Sequence, residues 1–511
     1  MARIILVVPL FYNTDFEMPL MEYQGYTTLN GYLSAQGHEV FVIDAFCEKL
    51  SFNEVINRIL EMGDIQYIGF TLMSSMYEDN MTKILEELQS RNCRFLCTFA
   101  GGMYASIMSN YILTSCPLLD LITIGDGEYT IDELVRIKNK DQLSNISGIC
   151  YRTKNGEIKL TPMRPPLTEE ELSSFPLPKH MQIENILKEN GKVMIITSRG
   201  CYGDCTFCGV NTYGKKVECK KWRALRAERV IKEIKYLYDN YQVKHIDVAD
   251  DNFIGEGKRG QERAQEIAKL IQSLNIHITF NIYCRINDFN EDVFRELKKV
   301  GLDSVFIGVE FGIQRALDFY NKGILVEQTK TVLKKMRDLS VRAMEGFIMF
   351  EPLMTLEEVK QNLKFYYENC DFKLYKLISR LEILKFSSAF DKLKTEIIIN
   401  PAPVFTEIFG DVCNYSFKYS EVEILYECFK QDLGVIMPSV SYRYILNRLK
   451  ENEHLINIWK ERIYKTLYKF CASFDNKDVI ELRTMKDTRT LYSLLKETDT
   501  NFYQELKFYG S

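Results

Sequence analysis

Short, nearly unbroken apolar runs alternate with helical stripes along most of this 511-residue chain. The first set comprises Ile4–Val8, Val40–Ala45, Tyr67–Leu72, Arg94–Gly102 and Leu118–Gly125. A strand apolar on both faces is buried on both faces, and helices between such strands cover a parallel sheet from both sides. The expected start is an α/β, doubly wound parallel sheet that binds its ligand beyond the carboxyl ends of its strands. From Val193 the rhythm returns in Val193–Gly200, His245–Asp251, Ile278–Arg285, Ser304–Glu310, Arg342–Phe350 and Leu374–Leu384. Between the first two of these, Val230, Ile231, Ile234, Leu237, Tyr238 and Tyr241 form one helical stripe. Six such units suit a partial (β/α)6 barrel with its chemistry at the strand carboxyl ends.

These patterns divide the chain into a doubly wound domain over 1–145, a linker over 146–190, a barrel over 191–387 and a mainly helical region over 388–511. The linker reading rests on Thr161–Pro178, rich in Pro, Ser and Glu. The helical reading rests on Ser420–Leu433 and Ser441–Phe470, whose aromatic and aliphatic stripes suit a bundle covering the barrel's open side. A substrate or leader-peptide groove is the alternative for that stripe.

Charge and cysteine usage narrow the class. A net charge of −5 lacks the basic excess of a nucleic-acid binder, so no nucleic acid is expected. No apolar run approaches the roughly 20 residues that span a membrane. Met1–Phe11 is apolar, but polar residues follow it without a small-residue cleavage site, so it reads as a buried strand rather than an export signal. The fourteen cysteines are then expected in a reducing, cytoplasmic setting, as metal ligands, reactive thiols or core residues. Cys97, Cys150, Cys284 and Cys428, isolated among apolar neighbours, read as core.

Cys201, Cys205 and Cys208 are different: they lie within eight residues, directly after the first barrel strand. A loop containing Gly and Asp makes poor core. Zinc needs a fourth ligand, for which Cys219 is available. Three thiolates can also hold an iron–sulfur cubane and leave one iron open, and Gly200, Gly203 and Gly209 let the backbone wrap closely. Later strand ends carry Asp250, Asp251 and Asn252, then Arg285, then Glu310. Each alone reads as a cap or solvated charge; their shared position at successive strand ends singles them out.

The Cys-x3-Cys-x2-Cys spacing, with Phe207 before the last cysteine, resembles the signature of radical S-adenosylmethionine enzymes. That resemblance implies a 4Fe–4S cluster on Cys201, Cys205 and Cys208, with S-adenosylmethionine on the open iron. It further implies Asp250, Asp251 and Asn252 as amino-group contacts, Arg285 as the carboxylate contact, Glu310 as the ribose contact and Phe207 beside the cofactor. Arg223 matches a basic position that follows the cluster loop in relatives; by itself it reads as a solvated charge at a helix start.

In the first domain, Thr71, Ser74 and Ser75, then Gly101 and Gly102, then Gly125, Gly127 and Glu128 cluster at three strand ends. No G-x-G-x-x-G follows the first strand, so a dinucleotide has little support. This layout resembles the cobalamin-binding Rossmann-like domain that precedes the barrel in one radical S-adenosylmethionine class, over residues 1–385. The resemblance implies cobalamin on those eight residues, an external electron donor such as flavodoxin or ferredoxin, and methylation of an unactivated carbon in a natural-product or peptide substrate. Ring formation, ring contraction or oxidation is the alternative within the class; a non-catalytic cofactor- or metal-binding scaffold is the alternative outside it. The loop Tyr12–Gly25 has no His, so cobalt's lower face is not held by the His of methionine-synthase-like domains. Methylthiolation does not fit, because Cys47, Cys93, Cys97 and Cys116 match no second cluster motif. The class's Gly-x-x-x-Gly-x-Pro pattern becomes Phe350 at its second glycine, and its Pro-Gly-Thr pattern becomes Phe386–Phe390; both bear on the substrate side.

Overall fold

Strands β1 (Arg3–Val8), β2 (Glu39–Asp44), β3 (Tyr67–Thr71), β4 (Cys97–Gly101) and β5 (Leu121–Thr123) form a parallel sheet in the order β2-β1-β3-β4-β5. In this computed structural model the described residues are 1–10, 19–219, 222–404, 412–436, 453–475, 477 and 481. Residues 11–18 of the Tyr12–Gly25 loop, residues 441–452 of the last stripe and the tail from 482 lie outside them. Helices α1 (Gln24–Ala35), α2 (Phe52–Glu61), α3 (Glu78–Ser90) and α4 (Met103–Ser115) join successive strands, and α5 (Glu128–Leu134) follows β5. The order reverses between β1 and β3, which opens a crevice at the carboxyl edge of the sheet. The β4–α4 turn depends on Gly102, whose φ is +113° and whose added Cβ would lie 2.5 Å from the Leu72 carbonyl oxygen.

The sheet continues past residue 145. Strands β6 (Ile149–Arg152) and β7 (Ile158–Leu160) add antiparallel to β5, inside the segment expected to be a linker. Their turn contains Asn155-Gly156, a strong hairpin signal. The Gly156 N–H donates to the Thr153 carbonyl at 2.9 Å. Proline content further along masked a hairpin that its own turn residues announce.

Beyond the hairpin the chain is pinned by buried charge. His180 is held by Glu22 at 2.8 Å and faces Glu233 at 3.6 Å, all three nearly inaccessible. Burial favours neutral imidazole, but the two carboxylates outweigh it and raise the His180 pKa to about 9. The unfolded imidazole gives up its proton near 6.5. The stabilisation is therefore complete below pH 6.5 and disappears as pH rises through about 9. Thermal midpoints are expected to fall as pH rises between these values, a contribution of about 3 kcal/mol. A His180→Gln protein that keeps the same slope would contradict this.

The second sheet is parallel: β8 (Met194–Ile195), β11 (His245–Val248), β12 (Thr279–Arg285), β13 (Leu302–Glu310) and β14 (Arg342–Phe347), in that order. The expected first strand is cut short. Asp250 takes the Thr197 and Ser198 N–H groups at 2.6 and 2.9 Å, so the ladder stops. The chain then pairs as β9 (Ser198–Arg199) antiparallel to β10 (Arg223–Ala224). The expected sixth strand is a correction. Leu374–Ile378 is a 3₁₀ turn, and only a Phe350–Arg380 bridge extends the barrel. β15 (Ile383–Leu384) pairs instead with β17 (Val412–Tyr415), which also pairs with β16 (Ile399–Val404).

The region after 388 is thus not helical throughout: this antiparallel sheet precedes helices Ser420–Ile436 and Glu453–Ala472. Phe350, at the departure from the glycine pattern, is fully buried with its ring edge-on to Phe417, Tyr426 and Phe429. The bulky residue anchors the C-terminal elements on the barrel. Among the described residues no helix is long and apolar enough to cross a membrane.

Candidate active site

The cysteine loop leaves β9 and is stitched to the barrel at both flanks. The Thr206 N–H donates to the Tyr320 carbonyl at 2.9 Å, and the Thr206 carbonyl accepts from Ala389 N–H at 2.9 Å. The Phe207 ring meets Tyr320 edge-on at 5.9 Å. Cys201 Sγ accepts the Gly203 N–H at 3.3 Å. Cys205 Sγ accepts from Arg285 at 3.0 Å. Cys208 precedes helix Gly209–Lys216. A Cβ at Gly203 would overlap the Arg285 guanidinium, so a larger residue there would push that side chain aside. Burial pushes the Cys201 thiol up, opposed by the Gly203 N–H and Arg285, and pushes Cys208 up to about 11. Bound iron would reverse this, since a coordinating thiol is deprotonated. Among the described residues no three Cys, His, Asp or Glu side chains converge on a single-ion site. A cubane spreads its thiolates over separate irons, so the donor set fits a cluster better than zinc with Cys219.

The strand-end residues divide into supports and cleft-facing groups. Asp250 is 2% exposed and accepts four hydrogen bonds, from the N–H and hydroxyl groups of Thr197 and Ser198. Burial raises its carboxyl pKa, and Arg263 opposes this most strongly. Its carboxylate is occupied in holding the strand that launches the cysteine loop, not free for a ligand. Asn252 is fully buried; it donates to Asp288 at 2.9 Å and lies 3.9 Å from Cys201 Sγ. Asp251 accepts the Gly200 N–H at 3.0 Å and lines the cavity beside Cys201. Arg285 donates to the Lys322 carbonyl, while its Nε is buried without a partner among the described residues. Glu310 ends β13 with φ of +62°, a strained backbone for a non-glycine residue, and accepts Lys322 Nζ at 2.6 Å. Lys322 and Asp288 escaped the sequence reading: Lys322 follows a helix, and Asp288 is marked only by its contacts with Asn252 and the Arg285 N–H.

Across from the loop, the carboxyl edge of the first sheet frames a cavity of about 460 Å³. Thr71, Gly101, Gly102, Gly125, Gly127 and Glu128 line it, together with Gly69, Phe99 and Thr123. Ser74 and Ser75 are not in its wall; their hydroxyls are buried without a hydrogen-bond partner among the described residues. Glycine backbone and an apolar floor fit a large ligand that approaches the chain closely. No histidine lines the cavity among the described residues. Glu128 is not free, since Arg199 donates to it at 2.5 Å. A second cavity of about 280 Å³ reaches Cys201 and shares Asp126, Arg199, Arg223 and Tyr213 with the first. Arg223 is no solvated helix-start charge: it lies in β10 and pairs with Asp126.

A partial parallel barrel with three thiols on the loop after its first strand defines a barrel metalloenzyme. Residues 195–366 match the Radical SAM superfamily. An uncharacterized methyltransferase of Pyrococcus horikoshii is 30% identical over 335 residues, 64% of this chain and 69% of that protein. The 4'-phospho-dehydrooxetanocin synthase of Priestia megaterium is 32% identical over 287 residues, 52% of this chain but only 37% of that protein. The cobalamin-dependent S-adenosylmethionine radical enzyme OxsB, solved with aqua-cobalamin bound, shares the fold at a TM-score of 0.81 and 20% identity, covering 99% of this chain and 80% of that one. The chain belongs to the Radical SAM superfamily. It is an enzyme, and its family's cofactors are a 4Fe–4S cluster and S-adenosylmethionine.

Proposed function

We propose that this protein is a cobalamin-dependent radical S-adenosylmethionine methyltransferase acting on an unactivated carbon of a natural-product or peptide substrate. The observation that carries the reading is the shared wall between the glycine-lined cavity of the first sheet and the cavity reaching Cys201. A substrate in that gap would face both halves of the molecule. Cys201, Cys205 and Cys208 would hold the cluster, Asp251, Arg285 and Glu310 would orient S-adenosylmethionine, and Thr71, Gly101, Gly102, Gly125 and Gly127 would seat cobalamin. When bound, these groups supply a 5′-deoxyadenosyl radical and a transferable methyl group. The protein's own part is to orient them and keep the gap dry, with apolar walls that include Met73, Met103, Ile196 and Val210. An external one-electron donor completes the reaction.

The test is an anaerobic incubation of the reconstituted protein with cobalamin, reductant, methyl-labelled S-adenosylmethionine and a candidate natural product or peptide. Labelled product with similar amounts of 5′-deoxyadenosine and S-adenosylhomocysteine is expected. Deoxyadenosine without S-adenosylhomocysteine would instead favour radical chemistry without methyl transfer. Zinc without labile sulfide in the anaerobically purified protein would overturn both.

A further inference from the structure

We propose that Asp126 is the positioning residue that sets the separation between the cobalamin and cluster sites. The inference rests on the reading above for what fills the two cavities. Arg199 and Arg223 are direct cross-strand partners on the β9–β10 ribbon. Like charges opposed in this way repel and would splay so short a ribbon. Asp126 relieves the repulsion. Its Oδ1 accepts from Arg199 at 2.7 Å, and its Oδ2 accepts from Arg223 at 2.5 Å and from the Leu167 N–H at 3.0 Å. Glu128 takes the other arm of Arg199. Asp126 stands on the turn between β5 and α5 and Glu128 opens α5, so both carboxylates belong to the first-sheet domain. Both arginines belong to the barrel side, and Arg199 lies two residues before Cys201.

One carboxylate thus joins the floor of the first cavity to the strand that launches the cysteine loop. Charge-assisted arginine–carboxylate pairs of this kind fix orientation as well as attraction. The same three residues belong to the common wall of the two cavities, so any slackening between sheet and ribbon changes the gap between the ligands.

The experiment compares wild type with Asp126→Asn and Arg223→Gln. Each is loaded with cluster and cobalamin, and frozen with both centres paramagnetic. Spin–spin splitting in the electron paramagnetic resonance spectrum reads their separation. Wild type is expected to show a splitting that Asp126→Asn loses and Asp126→Glu restores in part. Hydrogen exchange of the unloaded proteins gives a second readout, with roughly tenfold faster exchange expected for peptides spanning 198–200 and 223–224 in both variants. A loaded Asp126→Asn protein with wild-type splitting overturns the proposal. So does unchanged exchange in both variants. A wild type that binds no cobalamin overturns the cobalamin reading instead, and the exchange arm still judges the clamp.

Discussion

Cys205→Ala is expected to reduce iron and labile sulfide to background and to abolish S-adenosylmethionine cleavage with them. Two thiols cannot replace three where one iron must stay open for the substrate-like cofactor. The folding cost should be small by comparison. Cys205 is buried and its sulfur accepts the Arg285 guanidinium, so its loss leaves one charged donor short of a partner, at roughly 1–3 kcal/mol. Arg285 keeps the Lys322 carbonyl as an acceptor. The informative comparison is Cys219→Ala: Cys219 lines the cavity that reaches Cys201, but its loss is expected to leave cluster content unchanged. Iron analysis, 5′-deoxyadenosine formation and the thermal midpoint separate the outcomes. A Cys205→Ala protein with near wild-type iron, or a Cys219→Ala protein without metal, would sink the assignment of the triad.

The largest stability loss is expected from Asp250→Ala. Four donors on Thr197 and Ser198 point at one buried carboxylate. Arg263, whose own arms hold the Thr197 and Leu225 carbonyls, supplies the compensating charge. Removing the carboxylate leaves buried donors unsatisfied and a buried cation uncompensated, a cost of about 3–5 kcal/mol. A chain of this length need not unfold in one step, so the midpoint should be read together with hydrogen exchange across residues 193–200. Cluster loading is expected to fall as well, because the cysteine loop loses its launching point. Asp251→Asn is the contrast: it is expected to weaken S-adenosylmethionine binding with little change in midpoint. If Asp250→Ala melted like wild type and failed only in cofactor binding, Asp250 would be a ligand contact after all.

Much of the architecture was legible because strands buried on both faces announce themselves as continuous apolar runs. The five parallel strands of the first sheet overlap segments read that way, and four of the barrel strands fall within them; β6 and β7 do not. The failures are as instructive. Leu374–Leu384 carries a strand's composition, yet β17 captures its end at Ile383–Leu384 while Leu374–Ile378 winds into a turn. β16 and β17 lie where the strand–helix rhythm had faded and before the first helical stripe, and nothing local marked their pairing. The Asn155-Gly156 hairpin was a readable signal overshadowed by nearby prolines.

At the candidate site the cysteine triad and the run of strand-end charges could be read from spacing alone. Roles within that run could not. Asp250 and Asp251 are adjacent and chemically identical, yet one is buried under four donors and the other faces the cleft. Glu128 stood out beside glycines as a ligand contact, and the structure gives its carboxylate to Arg199 instead.

The sequence by itself determined that this chain builds a parallel α/β sheet followed by a second βα series, and that three thiols emerge at the end of the latter's first strand. Those features are local: each depends on the burial pattern or spacing of a few consecutive residues. Only the tertiary structure decided that Asp250 is a support, that Leu374–Leu384 is divided between a turn and another sheet, and that Asp126 bridges Arg199 and Arg223. Each outcome depends on partners some 30 to 100 residues away in the chain. Competition among such distant donors and acceptors is settled by packing, which no local pattern records.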